Sequence, residues 1–64
     1  MSRSTLRKNT NIMINNLRTA LYRLNETQDD YDNITAQVSL DEARVCIRKA
    51  IQHLERARNS TEEG

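Results

Sequence analysis

Apolar residues recur at helical spacing in the first third of the chain. Two overlapping series have neighbours three or four positions apart. The first is Met13, Leu17, Ala20 and Leu24, and the second is Ile14, Leu17, Leu21 and Leu24. This spacing places side chains on one face of an α-helix, and the overlap makes that face wider than a coiled-coil seam. The pattern predicts a first helix over about residues 6–26, with Ser4 or Thr5 as its N-cap.

A second and more regular series predicts a second helix over about residues 40–58. Intervals of 3, 4, 3, 4 and 3 separate Leu40, Ala43, Ile47, Ala50, Leu54 and Ala57. This is a heptad pattern that alternates a large aliphatic residue with alanine, and Ile51 widens the stripe. Ser39 and Glu42 precede it with the spacing of a capping box, in which each side chain bonds the backbone amide of the other residue. We therefore expect Ser39 to be the N-cap of this helix.

The segment between the two series is expected to be a connection of about 13 residues. Residues 25–33 are polar, with four acidic residues and no basic one, and residues 34–40 alternate apolar and polar side chains. Strict alternation is typical of a strand, but a lone strand leaves its backbone groups without hydrogen-bond partners. An extended or one-turn segment that leads into the second helix is the better interpretation.

These elements predict an all-α fold, namely an antiparallel two-helix hairpin. Residues 1–64 form a single domain in this interpretation, with frayed polar ends over 1–4 and 59–64. The chain has only 64 residues, and its single cysteine cannot form an internal disulfide. Chains this short usually need an additional source of stability, such as a partner chain. Pairing of two hairpins into a homodimeric four-helix bundle would cover both apolar stripes.

The expected helix–helix interface follows from these stripes. Its members are large aliphatic residues plus one alanine that permits close approach: Met13, Leu17, Leu21, Leu24, Leu40, Ile47, Ala50, Ile51 and Leu54. The expected partner is a second copy of the chain or another helical protein.

Charge is segregated along the chain although the net charge is only +1. Residues 1–24 carry five basic residues and no acidic one, and residues 25–42 carry six acidic residues and no basic one. Both helices are therefore basic and the connection is acidic. An anionic partner such as nucleic acid would contact the helices through Arg7, Lys8, Arg18, Arg44, Arg48 and Lys49. The small net charge and the lack of Phe and Trp count against nucleic-acid binding.

The sequence predicts no catalytic or metal site. Cys46 and His53 are separated by two helical turns, about 10 Å, which is too far to hold one ion together. The acidic residues near Asp30 lack the spacing and the central glycine of a calcium loop. No glycine-rich phosphate loop is present. We expect no enzyme activity, no cofactor and no small-molecule substrate.

Location follows from hydropathy. No apolar run approaches the roughly 18 residues that cross a bilayer, and no apolar segment follows the charged N-terminus. We therefore expect a cytoplasmic protein without a membrane partner.

The leading functional hypothesis is a small helical interaction protein that acts by helix–helix association as a homodimer. A nucleic-acid-binding regulator that uses the basic helix faces is the first alternative. A chaperone or adaptor for another helical protein is the second.

Overall fold

The protein is an antiparallel helical hairpin. The computed structural model describes the backbone of residues 2–63 and the side chains of residues 2–60. Two helices, α1 (Arg3–Gln28) and α2 (Ile34–Glu63), pack against each other, and the described part of the chain contains no strand. The predicted all-α hairpin is confirmed.

Helix α1 begins earlier than the sequence pattern indicated. Its N-cap is Ser2, whose extended backbone (φ −74°, ψ 159°) lets the side-chain oxygen accept a hydrogen bond from the Thr5 amide at 3.2 Å. Ser4 and Thr5 are inside the helix, so the prediction that one of them is the cap is wrong. The physical reason is that Ser2 has the same capping chemistry and stands one residue before Arg3.

Helix α2 also begins earlier, at Ile34 instead of residue 40. The Asn33 side-chain oxygen accepts from the Ala36 amide at 3.2 Å, and the Asn33 carbonyl accepts from the Gln37 amide at 3.0 Å. Asn33 therefore performs the capping that was assigned to Ser39, which lies inside the helix. Residues 34–40 are helical instead of extended, because a continuous helix pairs their backbone groups within the segment.

The connection is consequently only residues 29–33, and the helices have 26 and 30 residues. Two turn hydrogen bonds follow α1, from Asp30 N to the Thr27 carbonyl at 2.9 Å and from Tyr31 N to the Gln28 carbonyl at 3.2 Å. The Gln37 side chain donates to the Tyr31 carbonyl at 2.5 Å. At the two ends of the chain, residues 3–4 and 59–63 continue the helices, and residues 1 and 64 lie outside the described part.

The hairpin has a very thin core. Ile14 and Ile51 are the only buried apolar residues of the described part, at 2% and 8% exposure. The molecule measures 47 × 14 × 13 Å, with a radius of gyration of 14.9 Å. A compact chain of this length has a radius of gyration of about 11 Å. Two helices meet along a line, so most apolar side chains on their facing sides are only half-buried.

Candidate interaction surface

The predicted interface residues mostly lie where the two helices meet. Ile51 is buried, and seven others are half-buried: Leu17, Leu21, Leu24, Leu40, Ile47, Ala50 and Leu54. Met13 differs, because 45% of it is exposed. Its neighbour Ile14, which the predicted set omitted, is the most buried residue. A signal for Ile14 was present, since it begins the series that continues through Leu17 and Leu21 at intervals of three and four.

One edge of the hairpin is closed by polar contacts between the helices. Near the open end, Arg58 Nη1 donates to Asn11 Oδ1 at 2.9 Å. In the middle, Arg18 Nη2 lies 3.8 Å from Glu55 Oε1. We call the side on which these contacts lie the polar edge. The role of Asn11 was missed, because an isolated asparagine on a helix has no recognisable spacing signal.

Gln28 links the helices next to the connection. Its amide nitrogen donates to Asp41 Oδ1 at 2.8 Å and lies 3.4 Å from the Gln37 carbonyl oxygen. Its amide oxygen accepts from the Arg44 guanidinium, which also donates to Asp41 Oδ1 at 3.2 Å. The Arg44 side chain is only 27% exposed as a result. Asp41 lies inside α2 and takes part in this network.

The opposite edge of the hairpin is apolar. Successive residues of a helix are turned by about 100°, so Met13 and Arg18 lie on opposite sides of the line through Ile14 that faces α2. By the same rotation, Ala50 and Glu55 lie on opposite sides of α2. Because Arg18 pairs with Glu55 on the polar edge, Met13 and Ala50 share the other edge. We call it the apolar edge, and it repeats every seven residues on each helix: Leu6, Met13 and Ala20 on α1, and Ala43, Ala50 and Ala57 on α2.

The apolar edge pairs large residues on one helix with small ones on the other. Leu6 and Met13 are 41% and 45% exposed, and Ala43 and Ala50 are half-buried. The accessible surface of the molecule is 5018 Å². A compact monomer of 7.5 kDa exposes about 4,200 Å², so this hairpin exposes about 800 Å² more. The elongated shape of the hairpin accounts for this additional surface.

The six predicted nucleic-acid contacts do not share one surface. Helical rotation places Arg7, Arg18, Arg44 and Arg48 toward the polar edge, and it places Lys8 and Lys49 on the outer faces of α1 and α2. Carboxylates neighbour arginines on the polar edge, since Arg18 lies beside Glu55 and Arg44 bonds Asp41. A shallow open depression includes Arg7 and Lys8, and it is lined by α1 alone: Arg3, Ser4, Arg7, Lys8, Asn11, Ile12 and Asn15.

The remaining chemistry-bearing residues do not converge. Cys46 and His53 are both exposed on α2, two turns apart. Within the described residues, no three side chains of the His, Cys, Asp and Glu types come together to hold a metal ion. Along residues 2–63, neither helix is both long enough and apolar enough to cross a membrane.

Comparison with known proteins does not assign the chain to a family. No protein-family model matches the sequence, and neither the curated proteins nor the solved structures contain a significant match.

Proposed function

We propose that this chain is a small, non-enzymatic helical interaction protein that acts through helix–helix association as a homodimer. The observation that carries the proposal is the apolar edge. Leu6 and Met13 lie exposed there at heptad spacing, beside the alanine row of α2. Apolar side chains that a two-helix hairpin cannot cover favour association with a further helical surface.

A second copy fits the edge because the edge is self-complementary. A twofold axis parallel to the helices sets α1 of one copy against α2 of the other, antiparallel. Asn11 contacts Arg58 within the hairpin, so these two residues lie at the same position along the helix axis. Rotation about an axis parallel to the helices does not change that position. Met13 would therefore pack near Ala57 of the other copy. Ala20 would likewise lie near Ala50. Met13 then meets a small residue, and the two alanines at the next level allow the helices to approach closely.

The edge predicts a specific mutational result. Met13→Glu removes the burial of a half-exposed methionine in each copy, about 1 kcal/mol per copy, and places a carboxylate in the interface. We expect a total loss of about 3 kcal/mol, which raises the dimer dissociation constant at least about 100-fold. Helicity should remain, because Met13 is outside the thin core that joins α1 and α2.

Ile12→Glu is the matched control. Ile12 is adjacent to Met13 and equally exposed, at 48% against 45%, but helical rotation places it on the outer face of α1. Sedimentation equilibrium over a range of concentrations measures the dissociation constant, and far-ultraviolet circular dichroism measures the helicity. A dimeric Met13→Glu protein, or equal weakening by both substitutions, would refute the assignment of this edge.

The mass of the wild-type protein tests the proposal directly. A dimer has twice the 7.5 kDa chain mass. A protein that stays monomeric at about 100 µM would overturn the homodimer, and the apolar edge would then be assigned to a chaperone or adaptor role toward another helical protein.

A further inference from the structure

A second apolar surface lies on α2, away from both α1 and the apolar edge. Ile34, Val38 and Val45 follow intervals of 4 and 7, so they lie on one side of the helix, which we call the outer stripe. They are among the most exposed large apolar residues of the described chain, at 78%, 54% and 47%. Helical rotation turns them by roughly 100–140° from Ile51, the buried residue of α2.

The outer stripe contributes little to the stability of the hairpin. Its side chains point away from Ile14 and Ile51, the two buried residues of the core. β-Branched residues are also weaker helix formers than leucine or alanine, so their presence on a solvated helix face does not favour the helix itself. An exposed row of such residues at i, i+4 and i+11 instead has the spacing with which helices contact partner helices.

The charge around the outer stripe selects the class of partner. Six acidic residues and no basic residue lie between Leu24 and Ala43. Asp41 and Glu42 fall on the two sides of the stripe by helical rotation, and Asp32 precedes it. The Asp41 side chain keeps 58% exposure although it bonds Gln28 and Arg44. Arg48 and Lys49 follow Val45, so the carboxylates border only the part of the stripe that contains Ile34 and Val38. This part complements a helix that has an apolar row bordered by cations.

We propose that the outer stripe and its carboxylates form a docking surface for a basic amphipathic helix of another protein. Ile34 and Val45 are eleven positions apart, about 16 Å along the axis, so the surface accommodates about three turns of a partner helix. A second copy of this chain fits less well, because Ile12 and Tyr22, the large apolar residues that its basic α1 exposes away from the apolar edge, lie about 80° apart around the helix and form no row. Nucleic acid does not fit, because the carboxylates repel phosphates.

A pair of synthetic helical peptides tests this proposal. The first is a fluorescein-labelled peptide of about 18 residues with leucine at i, i+3, i+4 and i+7 and lysine elsewhere, and its twin has glutamate in place of lysine. Fluorescence anisotropy with the wild-type protein should show at least about tenfold tighter binding of the lysine peptide, and the difference should shrink between about 50 and about 300 mM salt. Equal binding of the twins would overturn the proposal.

Variants locate the peptide on the protein. Val38→Gln introduces a better helix former and should weaken binding at least about fivefold, because one apolar contact is lost. Ile12→Gln is the matched control, with 48% exposure against 54% for Val38, and should bind within about twofold of wild type. Glu42→Gln should weaken binding and flatten its salt dependence. Unchanged binding by Val38→Gln, or equal weakening by Ile12→Gln, would contradict the assignment.

The dimer and the docking surface are separate proposals, and one further measurement tests them independently. The Met13→Glu variant, designed to break the dimer, should bind the lysine peptide as wild type does, because Met13 is on the apolar edge. Loss of peptide binding in this variant, or dissociation of the wild-type dimer by the peptide, would place the peptide on the apolar edge and overturn the outer-stripe proposal.

Discussion

The thin core of the hairpin predicts a large difference between two identical substitutions. Ile14 is 2% exposed and Ile34 is 78% exposed, so Ile→Ala removes the same atoms from opposite environments. At Ile14, three carbons at about 0.8 kcal/mol each give a loss of about 2.4 kcal/mol in the free energy of unfolding. The cavity term adds to this, and measured Ile→Ala losses in cores are about 2–5 kcal/mol. The narrow shape of the hairpin favours the lower part of that range.

At Ile34 the same change should have almost no effect. About a fifth of the side chain is covered, which corresponds to about 0.5 kcal/mol, and the higher helix propensity of alanine offsets about 0.4 kcal/mol of that loss. We therefore expect Ile34→Ala to remain within about 0.5 kcal/mol of wild type. Ile14→Ala should lower the melting temperature by more than about 10 °C, since 1 kcal/mol corresponds to about 4–8 °C in a domain of this size.

The assay is thermal and urea unfolding followed by circular dichroism at 222 nm. All variants must be compared at one protein concentration, because self-association makes the stability depend on concentration. A difference of less than about 1 kcal/mol between Ile14→Ala and Ile34→Ala would refute the conclusion that the α1–α2 contact at Ile14 holds the hairpin together.

Three further predictions follow from the caps, the polar edge and the centre of α2. Asn33→Ala should lower the free energy of unfolding by about 1 kcal/mol, because the side chain that caps α2 is lost. Ser39→Ala should change it by less than about 0.5 kcal/mol. If urea titrations show a larger loss for Ser39→Ala than for Asn33→Ala, Ser39 is the cap. Arg18→Ala should cost less than about 0.5 kcal/mol, because its 3.8 Å pair with Glu55 is largely exposed, and a double-mutant cycle measures this coupling. Ile47→Asp should abolish the dimer and most of the helicity together, and a folded variant of unchanged mass in sedimentation would contradict that expectation.

The boundaries of α2 show where local sequence patterns mislead. Residues 34–40 alternate like a strand, yet the alternation consists of two helical i, i+4 pairs. Ala36 and Leu40 are half-buried toward α1, and Ile34 and Val38 are exposed on the outer side. The capping box at Ser39 was equally misleading, because Asn33 caps the helix earlier and lets Ala36 and Leu40 pack.

The two amphipathic helices and their hairpin arrangement can be read from the order of the residues, because apolar spacings of three and four residues are those of a helix. The charge division can be read in the same way, since acidic residues cluster between the two basic segments. Which part of each wide stripe turns inward depends on how α1 and α2 pack. Two helices in contact cover one narrow line of side chains, so Ile14 is buried and Met13 is left on the apolar edge. The polar bonds of Asn11, Arg18 and Gln28 occupy the opposite side, and no local pattern records a contact between residues so distant along the chain.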